Sequence, residues 1–357
     1  MRQVRRLIAL ALFAFSALAA AQGDGSSVPP PPGAPGPDPD TMFKGRMGGT
    51  FGKDIMDVMP NAKRIAVPGF RVAFVIENNV SAQVRGTYLP GGIDHSGARS
   101  SFQVTLQGVT ERTLQAITDQ AYATLLKELA ASGREVVPLA EMREHFNGFQ
   151  TSPQGLLKDH SGQKVAFFSP TGLPLTFMLH DGPWGAGGFD LTNYRKLEEI
   201  SVKTNAAVIT PLVVVNFAKM RSSGNRSALT ASAAETGAEL GMSVASMQVF
   251  YTRGTEFRNG MQMSGDQGSF RLEKPIFGSG QFGTMQETAN ENNAAMKGAF
   301  DILGKRMGMA NAGGAATSSV KAVATVNDQA YGAAAGEVLQ QMATNMGAWF
   351  KKHPAAP

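Results

Sequence analysis

The sequence predicts an α+β or α/β protein, with one mixed sheet covered by two long amphipathic helices. Apolar runs of strand length recur along the chain, the strongest being Ala206 to Ala218 (AAVITPLVVVNFA). Two long segments, Leu114 to Leu129 and Asp328 to Phe350, place apolar residues every three or four positions. Charged residues make up 17% of the 357, below the roughly 25% usual in soluble domains, while 41 glycines and 19 prolines punctuate the apolar runs. Such a chain has enough length for a large core and too little charge for a disordered or coiled-coil protein.

In chain order, Arg2, Arg5 and Arg6 form a basic head before the apolar run Leu7 to Leu18, and Ala19-Ala20-Ala21 supplies the small residues read by a signal peptidase. This is the plan of a secretory signal peptide over residues 1–21, with cleavage before Gln22. Its apolar run falls short of the roughly 20 residues needed to span a bilayer, and no later segment reaches 18, so the mature chain is expected to have no transmembrane helix. Losing three arginines takes the formal charge from +5 to +2, so the pI of about 9.4 belongs partly to the precursor. With no basic run or basic helix face, nucleic acid is not an expected partner. Residues 22–41 form a Pro/Gly-rich tether, with seven prolines between Val28 and Pro39 favouring extended polyproline II. Residues 42–357 are read as a single domain.

Within it, Ile65 to Ile76 (IAVPGFRVAFVI) reads as a buried strand bent at Pro68-Gly69. Ser100 to Gln107 alternates as a strand. The helix that follows is capped by Thr110 and ends before Gly133. Glu135 to Leu139 is a short strand and Ala140 to Phe146 a short helix. A Gly/Pro-rich loop insertion occupies 148–190, containing one short strand, Lys164 to Ser169. Tyr194 to Ile200 is helical. After the Ala206–Ala218 strand, Met242 to Thr252 and Ser269 to Phe277 are strands, Thr284 to Met307 reads as helix, and Val320 to Val326 as a last strand. In the terminal helix, Tyr331, Ala335, Val338, Met342, Met346 and Trp349 make the apolar stripe.

Few residues suggest chemistry. His180, Asp181 and Trp184 join an imidazole, a carboxylate and an indole in a Gly-rich loop, a candidate ligand-binding cluster. No Ser-centred nucleophile elbow occurs, so no catalytic residue is assigned and the protein is read as non-enzymatic. Gly278-x-Gly280-x-x-Gly283 has the spacing of a phosphate-cradling turn. However, the strand before it carries Arg271, Glu273, Lys274 and Pro275, unlike the buried strand of a nucleotide-binding fold. His95, His145, His160 and His353 are scattered, and no Cys exists to form a disulfide, a thiol nucleophile or a metal site. Met261/Met263 and Met307/Met309 have no His beside them and read as core filler. No metal and no cofactor are expected.

The order of helix Leu114–Leu129, strand Glu135–Leu139 and helix Glu141–Phe146, with the apolar strand Ala206–Ala218 and the terminal helix, resembles the curli-secretion (CsgG-type) periplasmic domains. Those proteins are anchored by an N-terminal lipidated Cys, which this chain lacks, and the loop at 148–190 has no counterpart in them. The resemblance implies binding and assembly rather than catalysis. The expected function is therefore that of an exported cell-envelope protein, periplasmic or outer-membrane associated, in secretion or surface assembly. Its partners would be other envelope proteins or copies of itself. The alternative is a periplasmic small-molecule or glycan binding module using Trp184 and His180.

Overall fold

The computed structural model describes residues 38–47, 59, 62–84, 87–88, 94–95, 98–178, 181–185, 191–225, 233–254, 267–288 and 316–355. These residues form an α+β fold with one large mixed sheet and five helices. Its centre is β3 (Arg71–Val84), which has different neighbours along its length. On one edge, Val72 to Asn78 pairs antiparallel with β10 (Gln163–Phe168). On the other, Arg71 to Phe74 pairs in parallel with β12 (Ala207–Asn225), and from Glu77 onward β6 (Ala98–Gln107) takes over antiparallel. Register shifts between β12 and its other neighbour at Val214/Val215 and Asn216/Ala218, each with the extra residue on that neighbouring strand, coincide with this hand-over. The sheet therefore forks. Beyond the fork, β12 continues with β13 (Ala233–Thr252) as a long antiparallel pair that lies against β6, where the Ser100 and Thr236 hydroxyls share a 2.7 Å hydrogen bond.

The bend at Pro68-Gly69 is sharper than the sequence suggests. It splits the run into β2 (Arg64–Ala66) and β3, because Pro68 cannot donate a ladder hydrogen bond. β2 pairs in parallel with β7 (Glu135–Val136). Residues 148–190, read as a loop, contribute structure to the main sheet. β9 (Leu156–His160) and β10 make a hairpin turning at Ser161-Gly162, where both residues have positive φ, and β10 is buried against β3. The helix expected to start at Thr284 is instead β16 (Gly283–Thr288), antiparallel to β17 (Ala316–Val326) at the end of the sheet. Its alternation of Thr284, Gln286 and Thr288 suits an edge strand better than a helix; the rest of that segment, 289–307, lies outside the described residues. At the opposite end β1 (Phe43–Met47) pairs with β14 (Gln267–Leu272), which pairs with β13. β15 (Ile276–Phe277) is separated from β14 by Glu273 to Pro275.

β6 and β17 lie parallel, with Ala98 opposite Ala316 through Gln107 opposite Thr325, and each leads into a long helix. Those helices are α2 (Glu111–Ala131) and α5 (Asp328–Lys352). The two strand–helix units repeat one another. Thr110 and Asn327 are equivalent N-caps, each accepting from the N–H three residues on. The buried faces match position for position, from Leu114, Ile117, Thr118 and Ala121 to Tyr331, Ala334, Ala335 and Val338. The helices run side by side in the same direction. A Cβ on Gly332 would meet Thr113, and one on Gly347 would press on Glu128 at 2.8 Å, so small residues set the approach. Each end is tied by the other unit. Asp328 accepts from the Thr110 N–H at 2.8 Å and the Thr113 hydroxyl at 2.6 Å, while buried Arg134, just past α2, donates to the carbonyls of Phe350 and His353 that close α5.

One hydrophobic cluster joins these helices to β3, β10, β12 and β13, including Phe74, Leu125, Phe217, Met342 and Trp349. A smaller one, with Val208, Phe250, Leu197 and Ile200, lies under α3 (Leu139–Arg143) and α4 (Thr192–Thr204). Val208 and Ile209 point to different clusters, as alternate strand residues must. α1 (Pro39–Met42) is clasped to the end of α5 by Lys352, which pairs with Asp38 at 2.7 Å and Asp40 at 2.5 Å, and by His353 with Asp40. Among the described residues no helix is long and apolar enough to cross a membrane.

Candidate functional site

Of the three sequence candidates, Asp181 and Trp184 come together, and His180 lies outside the described residues. Trp184 closes a short 3₁₀ turn, Gly182–Trp184, that follows Asp181. Asp181 is 3% exposed and its carboxylate forms an ion pair with Arg71, which is 0% exposed. Oδ2 of Asp181 also accepts the Met178 N–H at 2.6 Å. The Arg71 guanidinium donates further to the carbonyls of Thr176 and Thr210, at 3.2 and 3.1 Å. An arginine inside a sheet core requires this arrangement, since an unpaired buried charge is very costly.

Trp184 is 7% exposed, packed edge-to-face against Phe167 and His160 with ring centroids 5.7 and 5.6 Å away. Lys158 locks the turn. Its ammonium donates to the Trp184 carbonyl at 2.6 Å and sits 3.4 Å from the centre of the Phe177 ring. Burial holds Lys158 below the ordinary lysine range, with nearby Asp181 opposing that shift and Arg71 adding to it. The Asp181 carboxylate and the Trp184 ring are thus both engaged by the protein itself, and this cluster pins the turn to β3 and β10.

A second buried titratable group is Glu198 on α4. It accepts the Tyr194 hydroxyl at 2.6 Å, and burial pushes its carboxyl above the usual range. Half-buried Arg64 bridges Glu135 and Glu141, each at 2.8 Å, joining β2, β7 and α3. Both are contacts between packed elements. The glycines at 278, 280 and 283 lead into β16 rather than a helix. A Cβ on Gly278 would strike Val338 at 2.8 Å and one on Gly283 the Thr325 carbonyl at 2.4 Å, so these two glycines serve close packing. Among the described residues no group of three or more His, Asp or Glu side chains could hold a metal ion.

Sequence reasoning missed the opening at the fork. Where the pairing of β12 with β3 ends, a cleft of about 350 Å³ lies between β3, β10, β12, β13 and β15. Its floor is a chain of side-chain amides: Gln163 donates to Asn78 and Asn78 to Asn216, both at 3.3 Å. Asn216 also accepts the Ala218 N–H at 3.1 Å, across the second register shift. Phe277, 46% exposed, stands at the rim with the Lys219 ammonium 5.8 Å from its ring centre. The signals were present as Asn216, a lone polar residue in its apolar run, and the polar triplet Glu77-Asn78-Asn79 in the middle of β3, just as Arg71 was the lone charge in its run.

Comparisons of the chain with protein-family models, with curated proteins and with solved structures each found no match.

Proposed function

We propose that this is an exported, non-enzymatic cell-envelope protein that works in secretion or surface assembly by associating with copies of itself or with other envelope proteins, in the manner of the curli-secretion domains it resembles. The observation that carries this reading is the open sheet. Its path ends at β1 on one side and β16 on the other, and neither outer edge has a strand partner among the described residues. β16 is largely exposed along its length. Unpaired edges are templates for adding a strand from another chain, and two different edges on one molecule suit head-to-tail assembly. In this reading α2 and α5 are the two amphipathic helices that cover the sheet, which leaves its edges for contact. Residues 1–21 direct export, and 22–41 act as a spacer before the domain.

Two measurements test the reading. Intact mass of the protein recovered from the cell envelope is expected to show an N-terminus at Gln22; an uncleaved chain in the cytoplasm overturns the export part. Sedimentation velocity is expected to show species larger than the monomer, reduced by a proline in β16. Met285→Pro and Gln286→Pro sample both N–H directions of the edge, and the variant that keeps its melting transition carries the outward one. A strict monomer at high concentration overturns the assembly part.

A further inference from the structure

We infer that the cleft at the sheet fork is a binding site for an oligosaccharide of neutral, hydroxyl-rich sugars, separate from the strand edges and independent of assembly. The amide chain supplies the first half of the recognition. It runs in one direction, so bonding Gln163 to Asn78 to Asn216 leaves the Gln163 carbonyl as an acceptor at one end and the Asn216 NH₂ as a donor at the other. Neither terminal group has a hydrogen bond among the described residues, and both side chains are only half-buried in the cleft. Ser243, paired directly with Asn216 across β12 and β13, adds a hydroxyl-bearing residue to the same lining. A sugar hydroxyl both donates and accepts, so it can satisfy each end of such a chain. A carboxylate or phosphodiester, which only accepts, would leave the Gln163 carbonyl unpaired.

The rim supplies the second half of the recognition. Phe277 is the one aromatic among the large apolar side chains that remain exposed in the described residues. It sits on β15, held against β13 by the pairing of Phe277 with Ser243. An exposed ring beside convergent amides offers a flat apolar platform to the C–H face of a pyranose, while the amides take its hydroxyls. Lys219, over the same ring, adds a donor, and among the described residues no carboxylate lines the cleft. The volume falls at the lower end of the range for small-ligand sites, about 300–1,000 Å³, which suits one or two sugar rings with the rest of the chain outside.

The test is saturation-transfer NMR on the folded protein, with cellotriose and triacetylchitotriose as sugar probes and acetyl-trialanine amide as a peptide probe. Transfer to at least one trisaccharide is expected. It should weaken about tenfold in Phe277→Ala, whose side chain is exposed and dispensable for folding, and fall also in Lys219→Ala. An unchanged melting transition in both variants shows that the loss is local. Absence of transfer to either sugar at millimolar concentration overturns the proposal, as does transfer that neither variant changes. Transfer to the peptide alone overturns the sugar assignment. Because neither substitution touches β1 or β16, the sedimentation behaviour is expected to stay as in the unaltered protein whichever way the sugar result falls.

Discussion

Replacing Asp181 with Ala removes the only counter-charge, among the described residues, of the fully buried Arg71 guanidinium. Arg71 would keep two carbonyl acceptors, Thr176 and Thr210, while the Met178 N–H would lose its acceptor altogether. Breaking a buried ion pair from one side costs about 3–5 kcal/mol. The surviving carbonyl bonds place this case near the lower end, and the stranded N–H adds about 1 kcal/mol, for a total of roughly 4 kcal/mol. In a domain of this size, with about 2.1 cal/mol/K of unfolding entropy per residue, that lowers the melting midpoint by about 6 °C in differential scanning calorimetry. Asp181→Asn keeps an acceptor for both donors and is expected to lose roughly half as much. The double variant Arg71→Met/Asp181→Leu removes both charges and is expected to recover most of the loss. A melting midpoint for Asp181→Ala within about 2 °C of the unaltered protein would refute this reasoning. It would show that the carboxylate is not what neutralises Arg71, and would return Asp181 to the ligand-binding role that its loop suggested.

Three further outcomes follow from the packing. Because burial raises the Glu198 carboxyl above its ordinary value, the native state holds that proton more tightly than the unfolded chain; stability is therefore lost as pH rises from about 4.5 through the folded value. Glu198→Gln should accordingly raise the melting midpoint at pH 7.5 and leave it nearly unchanged at pH 4, and a variant less stable at pH 7.5 would contradict this. Gly108 turns from β6 into α2 at φ +97°, and a Cβ there would lie 2.3 Å from the Val326 carbonyl. Gly108→Ala is thus expected to cost about 3 kcal/mol or more by urea denaturation. Asp38 and Asp40 are held below the usual carboxylate range chiefly by hydrogen bonds from Lys352, so the clasp of α1 on α5 is complete above pH 3.8 and lost as pH falls through their folded values. Lys352→Gln, or high salt at neutral pH, should speed amide exchange in residues 40–43 without moving the melting midpoint, whereas unchanged exchange would show that the clasp holds nothing.

The parts of the fold legible in the sequence are those whose signal is local. Thr110 and Gly133 bracket α2 because an N-cap and a left-handed terminator act within one turn, and the stripe from Tyr331 to Trp349 is buried throughout. The signals that escaped are non-local. Within 148–190 the strand at Lys164 to Ser169 is legible, but β9 (Leu156–His160) and the burial of β10 against β3 are not, since both depend on pairing with distant residues. The strand at Gly283–Thr288 is stabilised by pairing with β17, and its polar alternation alone is too weak a signal to set it apart from the helix expected there. The repeat of β6–α2 by β17–α5 escaped because its spacing shifts by one residue between strand and helix, from Ala98/Ala316 to Leu114/Tyr331. At the candidate site, the closeness of Asp181 to Trp184 was legible. Their commitment to Arg71 and Lys158 was not, since those partners come from strands 110 and 26 residues away.

The most direct test of assembly through the sheet edge is hydrogen–deuterium exchange of residues 283–288, followed as a function of protein concentration. An edge that pairs with another copy gains inter-strand hydrogen bonds only when copies meet. Exchange in β16 is expected to slow as concentration rises, while Val72 to Phe74 of β3 and Leu212 to Val215 of β12, which have strand partners on both sides, stay unchanged. Exchange in β16 that is fast and identical at every concentration, in a protein that nonetheless sediments as an oligomer, would contradict it.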